Sequence, residues 1–254
     1  QPLQNVEYAG IKNKFKFSRV TEIFYNSIFT KTYNEKNFTG IKSSIIYPPV
    51  DLFPMEIEKE NMIVHVGRFR VKTVKDSGDF KKQGVMIEAF KQMVDDKLKG
   101  WKFVIAASVK DEDEEAFSQL KNAAKGYPIE FAINKSNDAL WEIYNKAKIY
   151  WHASGYGEDL KKHPEYAEHF GISTVEAMGA GAVPVVINAG GQTEIVTVGE
   201  DGLLWNTLEE LQKKTMKLIE DESQLKKLSE AAKVKAKDFT KERFCESINR
   251  LLNG

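Results

Sequence analysis

Residues 168–194 read EHFGISTVEAMGAGAVPVVINAGGQTE, and how this stretch folds decides most of what the chain can be. Phe170-Gly171 marks a chain reversal. Ile172-Ser173-Thr174 then offers Ser or Thr as a helix N-cap ahead of the apolar pattern Val175, Ala177, Met178. A helix is therefore expected to start near Gly171. Its first N–H groups have no partner within the helix and carry the positive end of the macrodipole. A phosphate set against Gly171, Ile172 and Ser173 would be bound by backbone alone, with the glycine leaving room for its approach. Glu176 lies in the first turn, where the dipole tolerates a carboxylate that could reach a ribose diol from the side. Glu168 precedes the reversal, so the two carboxylates can face one ligand from opposite ends.

The helix should stop at Gly179-Ala180-Gly181, and Val183-Pro184-Val185-Val186-Ile187 follows as the short apolar run of a buried parallel strand. The turn Gly190-Gly191 brings Glu194 back toward the same edge. Taken singly, each glutamate is more often a solvated cap than a ligand contact. The glycines and the apolar strand at fixed offsets reverse that balance.

Before this stretch, strands and helices alternate: strands at 62–66, 103–107, 129–133 and 149–152, with helical spacing at 85–98, 113–124 and 138–147. Such βαβ repetition predicts an α/β fold, a doubly wound parallel sheet with ligands at the carboxyl ends of its strands. Helices at 208–219, 223–236 and 241–252 follow it. Ahead of it, 20–25 and 44–47 read as strands around a helix at 28–38, ended by Pro48-Pro49. A unit of about 50 residues is too small to bury a core, so it is expected to be the remnant of a larger domain.

Composition narrows the function. With 254 residues, 42% of them hydrophobic, the chain can build a sizeable core; its 37 basic and 37 acidic residues cancel, so no net field draws nucleic acid. A single cysteine, Cys245, rules out an internal disulfide and a cysteine metal cluster and fits a reducing compartment. No apolar run approaches the ~20 residues that span a bilayer, and the start, QPLQNVEYAG, has no signal-peptide core. A cytoplasmic protein is expected, with peripheral contact at the cytoplasmic membrane face left open.

The order E-x-F-G-x-x-x-x-E, then EAM-x-x-G-x-x-P-V-V, then GG-x-x-E resembles the donor half of the retaining, GT-B-fold glycosyltransferases of group 1, which use nucleotide sugars. The EHFGI form leans toward mannosyltransferases within them. The resemblance implies a Rossmann-like donor domain over 54–238, a remnant of the N-terminal acceptor domain and linker over 1–53, and a C-terminal helix, 239–254, returning to that segment through Phe244, Ile248 and Leu251. It also implies Glu168, Arg68 and Lys81 as catalytic residues. Gly67, Asn134, Phe170, Gly171, Ile172, Ser173 and Glu176 would bind the nucleotide sugar, GDP or UDP type undecided. The lysine is fixed by the helix reading Ile87-Glu88-Ala89-Phe90, with Lys82 as the competing neighbour.

Two cations beside the leaving pyrophosphate suit a reaction in which negative charge develops there. The transfer would retain anomeric configuration, the departing phosphate taking the acceptor's proton. A glycan or lipid-linked acceptor would be the second substrate, held by the N-terminal acceptor domain, and the 254-residue chain alone would be inactive. The competing reading is a non-catalytic nucleotide-sugar binding module of the same fold.

No metal or other cofactor is expected. Asp111-Glu112-Asp113 has D-x-D spacing, but it continues into an acidic helix start that the macrodipole accounts for. His152 ends a strand near the site, His163 and His169 flank Glu168, and the insertion at 155–167 is placed to shape the sugar pocket or touch the acceptor.

Overall fold

The computed structural model describes residues 17–70 and 80–253; the polar start and most of the long loop after Arg70 lie outside them. The first unit is β1 (Glu22–Tyr25), α1 (Ile28–Asn34) and β2 (Lys42–Ile45), with β1 and β2 paired in parallel. Ser27 caps α1 by accepting a hydrogen bond from the Thr30 N–H, and a single tight turn, Glu35–Asn37, replaces the end of the expected helix.

The main sheet contains β3 (Glu60–Arg68), β4 (Lys102–Ser108), β5 (Ile129–Ile133), β6 (Ala147–His152), β7 (Val183–Ile187) and β8 (Leu203–Trp205). Its order is β5-β4-β3-β6-β7-β8, with every neighbouring pair parallel. The crossovers carry α2 (Gln83–Asp95), α3 (Glu114–Ala123), α4 (Asn137–Lys146), α5 (Ile172–Gly179) and the short α6 (Gln192–Ile195). The chain winds outward from β3 through β4 and β5, then restarts at β6 on the other side. The crevice at the carboxyl ends of β3 and β6 is therefore the topological switch point, where open α/β sheets bind ligands. Neither β8 nor α6 stands out in the sequence, since each is under five residues long.

Strand alternation splits the core between the two faces of the sheet. Ile149 and Trp151 of β6 join Ile63, Phe90, Phe103 and Trp205 on one face, while Tyr150 joins Val64, Tyr144, Val175 and Phe170 on the other. Three helices close the chain: α7 (Leu208–Glu220), α8 (Glu222–Ala236) and α9 (Lys241–Asn253). The tie back to the first unit is made one turn before α9. Phe239 packs its ring 5.3 Å from Tyr47 and 5.4 Å from Phe170, and its carbonyl accepts the Val50 N–H at 2.8 Å. Phe244, Ile248 and Leu251 are half-buried. No helix among the described residues is long and apolar enough to cross a membrane.

Candidate active site

A cavity of about 550 Å³ opens at the switch point. Gly67 and Arg68 end β3 beneath it, Lys81 comes from the approach to α2, and Glu168, Phe170, Gly171, Ile172, Ser173 and Glu176 come from the 168–176 segment. Asn26 and Pro48 from the first unit complete the lining, with Phe80, Glu165 and Tyr166 at one end. A second cavity of about 200 Å³ shares Val66, Gly67 and Arg68 with the first and is lined by Asn134. The residues nominated from sequence thus sit around two adjoining hollows along the end of β3.

Gly171, at φ +128°, is the N-cap of α5 and offers no side-chain cap; neither Ser173 nor Thr174 takes that place. Ser173 instead shares a hydrogen bond of 2.8 Å with the Tyr150 hydroxyl, and Thr174 donates to Gln192 Oε1 at 2.9 Å. The reason for the glycine also differs from expectation. A Cβ there would lie 2.8 Å from Gln192 Nε2 and 3.0 Å from Ile195 Cδ1, so the room it leaves is filled by α6. Its positive φ turns the chain at a point where Ile172 and Ser173, whose N–H groups have no partner among the described residues, line the cavity.

Glu168 is held by two partners on one oxygen: Lys81 Nζ at 2.5 Å and His152 Nε2 at 3.1 Å from Oε2. Burial opposes its ionisation, but the Lys81 charge and the His152 hydrogen bond outweigh burial and hold the carboxyl well below the usual carboxylate range. His152 is itself buried, which lowers its pKa, while Glu168 pulls the other way. Behind it His65 donates from Nδ1 to the Trp151 carbonyl at 3.0 Å, and burial first, then His152, pushes its pKa down to about 3, so it stays neutral. Gly67 is a glycine for space: a Cβ would come 3.0 Å from His65 Nε2 and 3.3 Å from the Lys81 stem. The two lysines also point to different partners. Lys81 reaches Glu168 across the cavity, whereas Lys82, at φ +57°, turns away to pair with Glu158 at 2.5 Å.

Glu176 accepts a hydrogen bond from the Tyr144 hydroxyl at 2.8 Å. Burial raises its pKa and the Tyr144 bond only partly opposes that. Asn134, at φ +50°, spends its side chain on the backbone of Val109: Oδ1 accepts from the N–H at 2.9 Å and Nδ2 donates to the carbonyl at 3.2 Å. It shapes the smaller cavity through this loop clamp. Glu194 turns to the first unit, its two oxygens accepting the Ile28 and Phe29 N–H groups at 2.7 Å each, where the α1 dipole favours a carboxylate. His169 borders the cavity and His163 stacks on Tyr166. Asp111–Asp113 forms a tight turn into α3. Among the described residues no three His, Cys, Asp or Glu side chains converge as a metal site.

Residues 53–235 match the family model described as Glycosyl transferases group 1. The chain belongs to this family. It is similar to the GDP-Man:Man(3)GlcNAc(2)-PP-Dol alpha-1,2-mannosyltransferase of Dictyostelium discoideum, with 28% identity covering 91% of this chain and 50% of the relative. It is also similar to alpha-1,3/1,6-mannosyltransferase ALG2 of the same organism, with 23% identity covering 91% and 60%. The chain spans about half the length of the curated relatives it matches. Among solved structures, Anabaena HepE in complex with UDP and glucose superposes with a TM-score of 0.71 at 17% identity, over 97% of this chain and 68% of that one. TarM superposes at 0.74 and 15%, over 99% and 48%. These structures establish a shared fold.

For a group 1 glycosyltransferase chain, the sequence reading passed over the residues that hold the nominated ones. Tyr144, on α4, meets Glu176 only because β6 places α4 beside α5, and no local pattern marks that contact. His152 was visible as a strand-end histidine, and its hold on Glu168 comes from the fold. Glu158 and Tyr166 were seen only as members of a polar insertion.

Proposed function

We propose that the chain carries the donor-binding half of a retaining glycosyltransferase that moves a hexose from a nucleoside diphosphate sugar to a glycan or lipid-linked acceptor. GDP-mannose is the donor favoured by the names of the relatives. The observation that carries this reading is the meeting, at the switch point, of the free α5 N–H groups, Lys81, Arg68 and two carboxylates around one cavity.

In this reading the diphosphate lies against Ile172 and Ser173, and Glu176 accepts the ribose hydroxyls. Arg68 is exposed and forms no ion pair among the described residues, so it is available to the diphosphate. Lys81, already at the cavity wall, is its second cation. Glu168, kept ionised, accepts from the sugar hydroxyls and fixes the ring. The bond from the anomeric carbon to the β-phosphate oxygen breaks, and its electrons stay on the phosphate, where Arg68 and Lys81 offset the charge. The acceptor oxygen bonds the anomeric carbon on the same face and passes its proton to the departing phosphate. In this reading the base enters the smaller cavity beside Asn134. This chemistry belongs in the cytoplasm, at a membrane surface when the acceptor is lipid-linked.

Calorimetry with GDP, UDP and ADP in the presence of a chelator tests the reading. A nucleotide at ~100 times its dissociation constant should also add roughly 2.7 kcal/mol of stability in a thermal melt. Absence of binding by every nucleoside diphosphate would overturn the proposal. Binding abolished by the chelator would overturn the assignment to Arg68 and Lys81 and bring Asp111 and Asp113 forward as metal ligands. A product assay with the matching sugar nucleotide separates turnover from binding alone.

A further inference from the structure

Lys81 is the one proposed phosphate contact carried on a loop that leads into a helix, and both of its neighbours are tied to the same distant segment. Lys82 pairs with Glu158 at 2.5 Å, with only 14% and 13% of the two side chains exposed. Phe80 meets Tyr166 edge to face, ring centres 5.6 Å apart. Glu158 and Tyr166 both belong to 155–167. That segment is a run of hydrogen-bonded turns: Glu158 N–H to Gly155, Leu160 N–H to Glu158, His163 N–H to Asp159 and Tyr166 N–H to His163 carbonyls. It is fastened to the core by Tyr156, whose ring lies 5.4 Å from Trp205.

We infer that residues 155–167 form a clasp that sets the position of Lys81, with Glu158 and Tyr166 as positioning residues acting through Lys82 and Phe80. The inference rests on the proposed reading of Lys81 as a diphosphate contact. Lys82 opens α2 in the left-handed region, which a lysine adopts only against a steric cost. Lys82 is largely shielded from water and has no other ion-pair partner among the described residues, so leaving Glu158 would strip its charge of compensation. The ion pair thus holds the backbone of residue 82 in a conformation it would otherwise leave. Lys81 is thereby turned the opposite way, toward Glu168 and the cavity. A free loop would spend part of its binding free energy on ordering Lys81 each time a ligand arrives.

The test compares a nucleoside diphosphate with its monophosphate on the 254-residue chain: GDP against GMP, or UDP against UMP where uridine nucleotides bind more tightly. Glu158→Gln should lower diphosphate affinity about tenfold and leave monophosphate affinity unchanged within about twofold. Lys82→Met should do the same, and the double variant should add little, as expected for one coupled pair. If Lys82 were itself the phosphate contact, Glu158→Gln would free it and strengthen diphosphate binding; that result, or an unchanged diphosphate affinity, overturns the clasp. Should Glu158→Gln melt far below the parent chain, Tyr166→Leu keeps an apolar side chain and removes the ring contact with Phe80, and it must show the same selective loss of at least threefold. A parent chain that binds no nucleotide defeats the proposed function instead. A parent that binds both forms equally removes Lys81 from the diphosphate and the clasp with it.

Discussion

Glu168 and Glu176 line the same cavity from the two sides of the turn at Gly171, and both are largely shielded from water, yet their surroundings drive them apart. At the Glu168 end the fold supplies Lys81 and a histidine, and the carboxyl is held ionised well below its ordinary range. At the Glu176 end the partner is a neutral phenol, burial prevails, and the pKa rises. The difference shows how a sheet edge makes a fixed anion at one end of a site and a proton-sensitive one at the other. Burial is common to both, so the partner's charge decides.

The strongest way to break the comparison is to disturb the backbone that carries one carboxylate only. Gly190 and Gly191 press directly on the 168–170 segment: the Gly191 N–H donates to the Glu168 carbonyl at 2.8 Å, and a Cβ on Gly190 would sit 2.3 Å from that carbonyl oxygen. Gly190 is also at φ +62°. Gly190→Ala should therefore destabilise the chain by about 2–5 kcal/mol, combining a left-handed alanine with an overpacked contact. Gly199→Ala, at φ +80° but with open space around it, should cost only about 1–2 kcal/mol. Denaturant midpoints of the two variants measure the gap, and equal losses would show that the contact with Glu168 adds nothing.

Next in size is Glu176→Ala. Loss of a charge-assisted ribose contact should weaken nucleotide binding by about 1.5–3 kcal/mol, with the monophosphate affected as much as the diphosphate because both carry the ribose. Calorimetry with the pair reads this directly. Unchanged affinity would remove Glu176 from the site and leave its raised pKa as a consequence of burial alone.

The same stretch that made the fold legible also limited the reading of the site. The buried strand at 183–187, the helix start after Gly171 and the βαβ alternation are local patterns, and each appears where spacing placed it within a few residues. Contacts that cross the sheet are another matter. Thr174 looked like a cap and is tied to Gln192, eighteen positions on; Glu194 was expected back toward the same sheet edge and fastens α1, 165 and 166 positions back. Both side chains have several partners of suitable chemistry in the sequence, and only the winding order selects among them. For the same reason Lys81 and Lys82 could not be separated until Glu168 and Glu158 were in place.

A pH series sharpens the contrast without any substitution. The folded pKa of Glu176 lies above its unfolded value, so the folded state keeps that proton longer. Glu176 therefore subtracts stability as pH rises through the window above 4.5 up to its folded pKa. Ribose binding by the carboxylate runs the other way and should weaken as the pH is lowered through the same window toward 4.5. Glu168, with its folded pKa depressed, contributes stability that is complete above 4.5 and lost only as pH falls far below it, so it imposes no slope on that range. Nucleotide affinity measured across these pH values should fall on the acid side in the parent chain and be flat in Glu176→Gln. A slope that survives the substitution would assign the proton to another group, with His169, half-buried at the cavity wall, the first to examine.

The smallest expected effect isolates the phenol. Tyr144 is fully buried on α4, and its hydroxyl is the one bond that draws the Glu176 pKa down against burial. Tyr144→Phe keeps the ring in the core and removes that oxygen, so packing changes little and Glu176 loses both a positioning contact and part of the support for its charge. Nucleotide affinity near pH 7 should fall by about 0.5–1.5 kcal/mol, or roughly two- to tenfold. The acid limb of the pH profile should move to higher pH, since ionisation of Glu176 becomes harder. The two readouts separate the causes. Weaker binding with an unmoved acid limb means that Tyr144 only aims the carboxylate, whereas a moved limb with affinity recovered at high pH means that it sets the charge. A variant that binds as the parent does at every pH would show that the raised pKa of Glu176 has no bearing on the nucleotide, and the electrostatic contrast between the two ends of the cavity would then carry no functional weight.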